Sequence, residues 1–532
     1  MTQHESHADV IVIGGGLAGL ATTVELARRG IQVTLVERNT HLGGKMNVLT
    51  EQGYSFDMGP TILTKPDVLR GIITRCGRKT EDYIDLIRLD PQWRAFYEDG
   101  TVLDLKEGDT VMAESLNAQF DRAKPAEGYQ DFLAFSRRMN RLSNRVFYYK
   151  DIGGIRDVMR HTPPTDIKLL KDVMAMRMHS TVGSTVHRHI KEPHLQQMVE
   201  HFMQYVGSSP FLAPAILSVI ASIQVDEGCW YAKGGTRSVA RSLVKLAEEF
   251  GATLLTGNGV QSINTDGKRV TGVTLDDGSQ LSADSIVSNC DVQRTYRDLM
   301  ETPEAKRESR SIAKNYKPAC SGLVLFLGLD KQYDHLAHHN FVFSKDSKRE
   351  FNDIYNRGVP AEDPTLYLAV PSRSDPDQAP EGCEALYVLI HTAPLQDGHR
   401  WEGPGGILES YLPTVMEKLK NCGRMPDIEQ HVRVHKHLTP NDIESRYNAE
   451  GGAIYGLASH GRLRGGFKPK NRSKAYSNLY LTGGSANPGP GVPMVLMSGV
   501  TAACCLCEDL GLDPDADAPA PSTTPTYATV SH

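Results

Sequence analysis

Several features that mark common protein classes are scarce in this sequence. Its 532 residues carry a formal net charge of only −6 at pH 7, so we expect no basic surface for nucleic acid. Its nine cysteines are scattered, and the one C-x-x-C spacing, Cys504 to Cys507, has no second pair to complete a zinc site. The odd total and wide scatter are typical of a reducing cytosol. We therefore predict no disulfide framework, no metal site and no nucleic-acid partner.

Long apolar segments are also scarce. No run of eighteen or more apolar residues occurs, so no membrane-spanning helix is predicted. The polar start, MTQHESHADV, leaves no room for the charged region and apolar core of a signal peptide, which favours a cytoplasmic location. The nearest approach to a long apolar segment is Pro210 to Val225, which contains two prolines. It has two interpretations, a buried helix or a surface that dips into a bilayer.

A nucleotide-binding pattern stands at the start of the chain. The β-branched run Val10–Ile13 predicts a strand that is buried on both faces of a parallel sheet, and a helical pattern follows at once. Between them lie Gly14, Gly16 and Gly19, spaced G-x-G-x-x-G. The first permits a tight turn, the second lets the backbone approach a pyrophosphate, and the third lets the helix pack on the strand. The pattern predicts a dinucleotide site at the helix N-terminus.

An acidic residue and a second glycine turn extend this motif. Ile31–Val36 is a second strand, and Glu37 follows it, eighteen residues past Gly19. A carboxylate in that place accepts hydrogen bonds from an unphosphorylated ribose. The sequence LGGK, which ends in Gly44 and Lys45, resembles the turn of flavoprotein oxidases and desaturases. This similarity favours FAD over a nicotinamide cofactor.

The middle of the chain alternates between strand and helix patterns. Apolar residues alternate around Asp99 and Gly100 within Arg88–Leu105, which predicts a hairpin. The pattern is helical over Ala126–Gly207, and within it Arg160–Lys191 is basic and amphipathic. Such a stretch either lies on an anionic membrane surface or forms a solvated face. Further strands are predicted at Ala252–Ile263, Arg269–Leu275, Ala283–Ser288, Ser321–Leu329 and Leu386–His391.

Two histidine groups are the other candidates for metal chemistry. His338 and His339 are adjacent, whereas His431, His435 and His437 share the parity of one strand face. A metal site would need more ligands at fitting distances. Both groups are therefore interpreted as structural histidines.

A second glycine-rich motif lies near the C-terminus, within NLYLTGGSANPGPGVPMVLMSG. A short strand leads to Gly483 and Gly484, where the chain can approach a ligand closely. A helix is predicted to begin near Pro493, because a proline ring suits the first helical turn. Its amides would face the end of a flavin on which negative charge gathers during reduction. From Asp513 the tail is rich in proline and is predicted to be disordered.

With both glycine-rich ends in view, the chain resembles the bacterial-type phytoene desaturase family of carotenoid enzymes over nearly its whole length except the tail. The family's C-terminal signature is roughly N-x-aromatic-aliphatic-x-G-G-S-A-x-P-G-x-G-aliphatic. Two positions depart from the family: Asn487 replaces the more usual histidine, glutamine or threonine, and Pro490 stands where a small residue is typical. The matching positions are Asn478, Tyr480, Leu481, Gly483, Gly484, Ser485, Ala486, Pro488, Gly489, Gly491 and Val492.

The resemblance implies an α/β fold in which a Rossmann-like FAD-binding domain carries an inserted α+β substrate domain, as in flavin amine oxidases and phytoene desaturases. The strands from Ala252 to Ser288 would complete the nucleotide-binding sheet, and the later strands would form the floor of the substrate domain. The implied boundaries are 1–115, 226–300 and 471–512 for the FAD-binding domain, 116–225 for a helical part that contacts substrate and membrane, 301–470 for the substrate domain, and 513–532 for the disordered tail.

The resemblance also implies the activity, which is the FAD-dependent removal of hydrogen from a linear C30 or C40 carotenoid precursor such as phytoene or diapophytoene. Oxidised flavin takes up a hydride, and oxygen or a quinone is the expected final electron acceptor. A substrate without polar groups has to be selected by an apolar tunnel, and no catalytic base is identified. Because such a hydrocarbon resides in the membrane, we expect peripheral contact with the cytoplasmic membrane through Arg160–Lys191 and Pro210–Val225.

The resemblance implies a set of cofactor contacts and leaves several reactions open. The sequence Gly491-Val492-Pro493-Met494 resembles the C30 and terminal-oxidising branches somewhat more than the others, and later-step dehydrogenation and terminal-methyl oxidation are alternatives. A flavin amine oxidase and a non-enzymatic carotenoid carrier are more distant ones. The predicted FAD-binding residues are Gly14, Gly16, Gly19, Glu37, Gly44, Lys45, Val260 at the adenine, and Gly483, Gly484, Val492 and Met494 near the isoalloxazine.

Overall fold

Two seven-stranded β-sheets organise the part of the chain that the structure describes. The computed structural model describes residues 6–121, 124–160, 179–461 and 464–515. Much of the basic stretch, 161–178, and most of the tail, 516–532, lie outside the described residues. The predictions made for those two segments therefore stay predictions.

The strands and helices follow one another along the whole described chain. The strands are β1 (Ser6–Ile13), β2 (Val33–Glu37), β3 (Val48–Glu51), β4 (Tyr54–Asp57), β5 (Leu86–Leu89), β6 (Trp93–Phe96), β7 (Val102–Leu105), β8 (Cys229–Ala232), β9 (Thr253–Thr256), β10 (Val260–Asp266), β11 (Arg269–Leu275), β12 (Gln280–Ser288), β13 (Ser321–Leu329), β14 (His339–Val342), β15 (Leu366–Ala369), β16 (Glu384–Thr392), β17 (Val432–Leu438) and β18 (Leu479–Leu481). The α-helices are α1 (Leu17–Ala27), α2 (Asp67–Arg75), α3 (Asp109–Gln119), α4 (Pro125–Val146), α5 (Ile155–Arg160), α6 (Val182–His189), α7 (Pro193–Glu200), α8 (Val219–Glu227), α9 (Arg237–Glu249), α10 (Val292–Asp298), α11 (Pro303–Asn315), α12 (Ser347–Asn352), α13 (Ile407–Asn421), α14 (Ile428–His431), α15 (Pro440–Tyr447) and α16 (Val492–Asp509).

The first sheet has the strand order β10-β11-β12-β1-β2-β9, with β18 added beside β12. Strands β1, β2, β9, β12 and β18 run parallel, and β10 and β11 form an antiparallel hairpin on β12. Val10–Ile13 is at most 3% exposed, because helices cover the sheet on both faces. The sheet thus joins segments from both ends and the middle of the chain. It confirms the predicted Rossmann-like α/β fold.

The second sheet has the strand order β17-β13-β16-β15-β14-β6-β7. Its centre is formed by β13 and β16, which pair antiparallel and are buried at every residue. These two strands coincide with the predicted Ser321–Leu329 and Leu386–His391, so both predictions are confirmed. The predicted substrate domain therefore has a sheet as its floor.

The hairpin β6–β7 belongs to the second sheet. Its predicted turn at Asp99 and Gly100 is confirmed, because β6 and β7 pair antiparallel on either side of these residues. Strand β6 pairs parallel to β14 in the second sheet. The reason is packing, because the fully buried Trp93 lies 4.5 Å from Phe341 and 4.7 Å from Phe202, measured between ring centroids.

The apolar stretch Pro210–Val225 is part of the core. None of its residues is exposed, and α8 within it packs against α4. Ser136 of α4 donates a hydrogen bond to the Ser218 carbonyl over 2.6 Å and accepts one from the Ser222 amide over 2.8 Å. The buried-helix interpretation is confirmed. The alternative, a surface that dips into a bilayer, is wrong for this stretch.

Helix α16 is the one helix of the described residues with the length and apolar composition to cross a membrane, and 72% of it is buried inside the protein. It packs on α1 at Gly499, where an added Cβ would lie 2.4 Å from the Ala18 carbonyl oxygen. Thr22 donates a hydrogen bond to the Gly499 carbonyl over 3.1 Å. The free cysteines Cys504, Cys505 and Cys507 lie in this packed helix, as predicted. These contacts describe a core helix.

Candidate functional site

The first glycine motif forms a tight turn between β1 and α1. Gly14 has a φ of +95°, and its amide donates a hydrogen bond to the Val36 carbonyl over 2.8 Å. A Cβ added at Gly19 would lie 2.0 Å from the Gly14 carbonyl oxygen. The third glycine of the motif therefore lets the helix pack directly on the turn, which is the role that the spacing predicts.

Glu37 holds this turn together. Its carboxylate accepts hydrogen bonds from the Gly15 amide and from the backbone and side-chain nitrogens of Asn39, each over 2.8 Å. The residue is only 6% exposed and lines the cavity described below. Glu37 thus has a structural role besides the ribose contact that the sequence predicts.

The second glycine turn lies against the first. The Gly43 amide donates to the Gly15 carbonyl over 2.8 Å, and a Cβ added at Gly44 would come within 3.1 Å of the Gly16 Cα. Lys45 extends from this turn, and its Nζ donates to two carbonyls of the chain that follows α15, at 2.9 and 3.0 Å. Burial, partly offset by the carboxylate of Asp291, lowers the pKa of Lys45 to about 8. Lys45 therefore ties the nucleotide motif to the substrate domain.

Asn289 lies between the N-terminal and the C-terminal glycine motifs, and the sequence does not predict this role. Its side-chain nitrogen donates to the Gly14 carbonyl over 3.1 Å. A Cβ added at Gly483, whose φ is +102°, would lie 2.7 Å from the Asn289 side-chain oxygen. Asn289 directly follows β12. Its position at the carboxyl end of a parallel strand is the sequence feature that could have predicted its place in the site.

These motifs line one cavity with a volume of about 740 Å³. Gly19 is the one predicted FAD-binding residue that does not line it, because this glycine packs behind the turn. The structure therefore brings together residues predicted from four separate stretches of sequence. The predicted residues at the cavity wall are Gly14, Gly16, Glu37, Gly44, Lys45, Val260, Gly483, Gly484, Val492 and Met494.

Aromatic side chains from the second sheet and the segments that cover it line another part of the cavity. Phe341 and Tyr367 are paired across β14 and β15, with ring centroids 5.0 Å apart. His391 of β16 stacks on Tyr455 with centroids 6.2 Å apart. Tyr205, Tyr387 and His201 complete this polar aromatic group, which we call the aromatic end. Its members come from elements far apart in sequence, so no local motif marks them.

The aromatic end is polar but uncharged. Burial lowers the pKa of His391 to about 4 and that of His201 well below its ordinary value, so both imidazoles are neutral near pH 7. The Nε2 atom of His391 is buried and has no hydrogen-bond partner in the described structure. The carboxylates at the cavity wall are Glu37, Asp276 and Asp291, which belong to its nucleotide portion.

Comparison with known protein families identifies the cofactor of this chain. Residues 17–507 match the family described as flavin containing amine oxidoreductase. The chain belongs to this family. FAD is therefore its cofactor, and the two glycine turns, with no room for a Cβ, fit the close approach of a dinucleotide. The glycine-lined portion of the cavity stays the predicted FAD site.

Sequence relatives place the chain among the carotenoid-modifying members. It is 38% identical over 495 residues to the 4,4'-diaponeurosporene oxygenase of Staphylococcus haemolyticus, across 93% of this chain and 96% of that protein. It is 36% identical over 497 residues to the 4,4'-diapolycopene oxygenase of a Methylomonas species, across 92% of this chain and 96% of that protein. The chain thus belongs to the carotenoid desaturase and oxidase family of flavin-dependent oxidoreductases.

Solved structures agree on the fold. An oxidoreductase from Methanosarcina mazei aligns with a TM-score of 0.60 and 17% identity, over 92% of this chain and 99% of that one. Putrescine oxidase bound to putrescine aligns with a TM-score of 0.62 and 13% identity, over 94% of this chain and 99% of that one. Because the identities are low, these likenesses concern the architecture alone.

Replacement of Glu37 by alanine tests the nucleotide portion. We expect Glu37→Ala to weaken FAD binding by roughly 1.5 to 3 kcal/mol, because a charge-assisted hydrogen bond and the support of the Gly15 amide are lost. That corresponds to an increase in Kd of about 10- to 150-fold. Flavin fluorescence during titration of the apoprotein measures the Kd. Glu51→Ala, at a residue outside the cavity wall, is the matched control, and an unchanged Kd in Glu37→Ala would contradict the assignment.

Proposed function

We propose that the chain oxidises a terminal methyl group of a C30 diapocarotenoid. The observation that carries this proposal is the polar, uncharged aromatic end of the cavity. A hydroxyl or aldehyde on a carotenoid end group can bond to the unpartnered Nε2 of His391, whereas a pure hydrocarbon leaves this buried atom unsatisfied. The names of the two relatives support a C30 carotenoid as the substrate and the addition of oxygen to it as the outcome.

The proposed reaction consists of two-electron steps. In the first, a methyl group and water give an alcohol, a hydride and a proton; in the second, the alcohol gives an aldehyde, a hydride and a proton. FAD, when bound, supplies the hydride acceptor. The protein's own part is to exclude bulk water, to hold the polyene against apolar walls and to hydrogen-bond the oxidised end, as an acceptor for an alcohol or as a donor to an aldehyde oxygen.

Desaturation of a C30 or C40 precursor is the second candidate. It is favoured by the apolar part of the wall, where Ile220, Ile223, Val324 and Leu389 offer no polar group to a substrate. A saturated CH2–CH2 unit needs only such a surface and a hydride acceptor. The two candidates therefore differ in which carotenoid reacts.

The deciding assay presents carotenoids to the FAD-loaded protein in liposomes without oxygen. We expect 4,4'-diaponeurosporene to bleach the flavin and to give a product that gains one oxygen atom, heavier by two mass units when the water is labelled with ¹⁸O. Bleaching by diapophytoene or phytoene with longer polyenes as products would instead establish a desaturase. The absence of bleaching with every carotenoid would refute both candidates.

We also propose that the protein docks on the cytoplasmic membrane surface, from which the substrate is drawn. The support is α5, where Ile155 is 39% and Met159 67% exposed beside Arg156 and Arg160. Exposed apolar and basic side chains together fit an anionic bilayer. The liposomes of the assay provide the test, because protein that stays in the supernatant when anionic vesicles are sedimented would overturn this proposal.

A further inference from the structure

A line of hydrogen-bonding side chains leaves the aromatic end of the cavity. It begins with Thr61 and Tyr367, both at the cavity wall, whose hydroxyls contact each other. The Tyr367 hydroxyl also lies 2.9 Å from the Nδ1 atom of His339, across the β14–β15 pair. Tyr367 and His339 are both buried. A proton that reaches the Tyr367 hydroxyl thus meets a ring nitrogen that can receive it.

His338 continues this line from His339. The two adjacent rings are nearly perpendicular, with centroids 4.4 Å apart. The Nε2 atom of each ring is buried and has no hydrogen-bond partner in the described structure. Buried polar atoms in native proteins are satisfied by protein or by ordered water. Two such atoms on neighbouring rings point to a shared water as their partner.

The line ends at the protein surface. The Nδ1 atom of His338 lies 2.9 Å from the Ser374 hydroxyl. Ser374 follows a short turn of helix and is partly exposed, unlike the two histidines. The side chains therefore lead from the cavity wall to solvent without passing the nucleotide portion of the cavity.

We propose that Thr61, Tyr367, His339, His338 and Ser374 form a relay that conducts the proton removed from the substrate to solvent. The inference rests on the proposed function only in that each two-electron oxidation releases one hydride and one proton. The relay serves the proton, which passes from the Tyr367 hydroxyl to His339, then through water to His338, and leaves at Ser374. Each hydroxyl or imidazole gives up one proton as it gains another, so every group keeps its charge, and the two rings change tautomer and have to change back before the next proton passes.

The chemistry of neutral imidazole suits this role. Burial lowers the pKa of His338 to about 3 and that of His339 well below its ordinary value, so both rings are neutral near pH 7 and each carries a single N–H proton. A neutral imidazole offers one nitrogen as an acceptor and the other as a donor, which allows a proton to enter and leave at different atoms. The adjacent His338-His339 pair thus has a role beyond the structural one that the sequence suggests.

Single-turnover measurements on the FAD-loaded enzyme test the relay. Flavin bleaching follows hydride removal, and a pH-indicator dye in weakly buffered solution follows proton release. In the wild type the two signals should coincide. In His338→Gln, whose amide can hydrogen-bond but cannot take up and release a proton, proton release should slow at least tenfold and lag behind bleaching. Tyr367→Phe should show the same lag.

The control and the opposite outcomes separate a relay from a structural role. His335→Gln changes a nearby partly buried histidine that bonds to the Gly423 carbonyl and lies outside the cavity wall, so its two signals should still coincide. If His338 has only a structural role, His338→Gln should slow flavin bleaching and proton release equally. If the two signals coincide in His338→Gln as they do in the wild type, the relay is overturned. If no carotenoid bleaches the flavin, the proposed function fails. The relay is then decided by a high-resolution crystal structure of the FAD-loaded enzyme, in which the absence of an ordered water at both Nε2 atoms would overturn it.

Discussion

The variant Gly19→Val is expected to lose its FAD and about 3 kcal/mol or more of folding stability. An added Cβ would lie 2.0 Å from the Gly14 carbonyl oxygen and 3.2 Å from the Asn289 side-chain nitrogen. The closer of these atoms is backbone inside a tight turn, so it has no rotamer by which to move away. Overpacking in a close-packed core costs typically 1–3 kcal/mol and more when the backbone has to shift. The helix would be forced off the strand, and the turn that approaches the pyrophosphate would open.

Two measurements check the Gly19 result. The ratio of flavin to protein absorbance after gel filtration measures FAD retention, and urea unfolding of the apoprotein measures stability. Gly154→Ala is the matched control, because a Cβ there meets nothing within 4 Å. The control should retain FAD and keep its unfolding midpoint. Full FAD retention in Gly19→Val would show that helix α1 is not held against the turn as described.

The variant Glu25→Gln is expected to destabilise the protein by about 3 to 5 kcal/mol at pH 7. Glu25 is 0% exposed in α1, and its carboxylate pairs with Arg28 at 2.7 Å, Arg29 at 2.8 Å and Arg75 at 2.6 Å. Removal of one partner from a buried ion pair leaves uncompensated charge in a low-dielectric interior, which is the costly case. Here a single carboxylate serves three guanidinium groups. The cost should therefore lie in the upper range for single substitutions.

The pH dependence of this effect has a definite sign. Burial acts to raise the pKa of Glu25, but the charges and hydrogen bonds of Arg75 and Arg28 outweigh it, so the pKa lies below its ordinary value. A lowered pKa contributes stability that is present above the unfolded value of about 4.3 and is lost as the pH falls through the folded value. The stability gap between wild type and Glu25→Gln should therefore narrow below about pH 4.

Urea unfolding at pH 7 and at successively lower pH values measures this gap. The control is Glu127→Gln, whose partner Lys124 and own side chain are 78% and 68% exposed. A surface pair of this kind contributes about 1 kcal/mol or less. A Glu25→Gln variant as stable as the control at pH 7 would contradict the buried network. A gap that widens in acid would contradict the sign.

Local sequence was sufficient to predict those parts of the fold and the site in which the chemistry requires particular residues at short spacing. The turn at Gly14, the carboxylate of Glu37 and the close approach at Gly483 depend on contacts that glycine spacing and strand ends dictate directly. The same holds for the central strands β13 and β16, whose unbroken apolar runs predict burial on both faces. These features were found because each reflects a rule that acts within about twenty residues.

Such local rules do not predict which distant segments of the chain come into contact. A hairpin pattern predicts that β6 and β7 pair with each other, but which sheet they join depends on where Trp93 finds a fitting apolar pocket. Asn289 carries no motif of its own, and its importance follows from its distances to Gly14 and Gly483. The aromatic end likewise draws on strands and loops across more than 200 residues of sequence.

The sequence by itself determined the Rossmann-like fold, the FAD cofactor and the carotenoid enzyme family, because backbone approach to a dinucleotide leaves few alternatives to glycine. Only the tertiary structure decided that the aromatic end is polar and uncharged, that His339 bonds to Tyr367 at this end, and that the adjacent His338 bonds to Ser374. Histidine, tyrosine and threonine are common residues without a fixed role. Their chemistry depends on burial and on partners that folding brings together from distant strands.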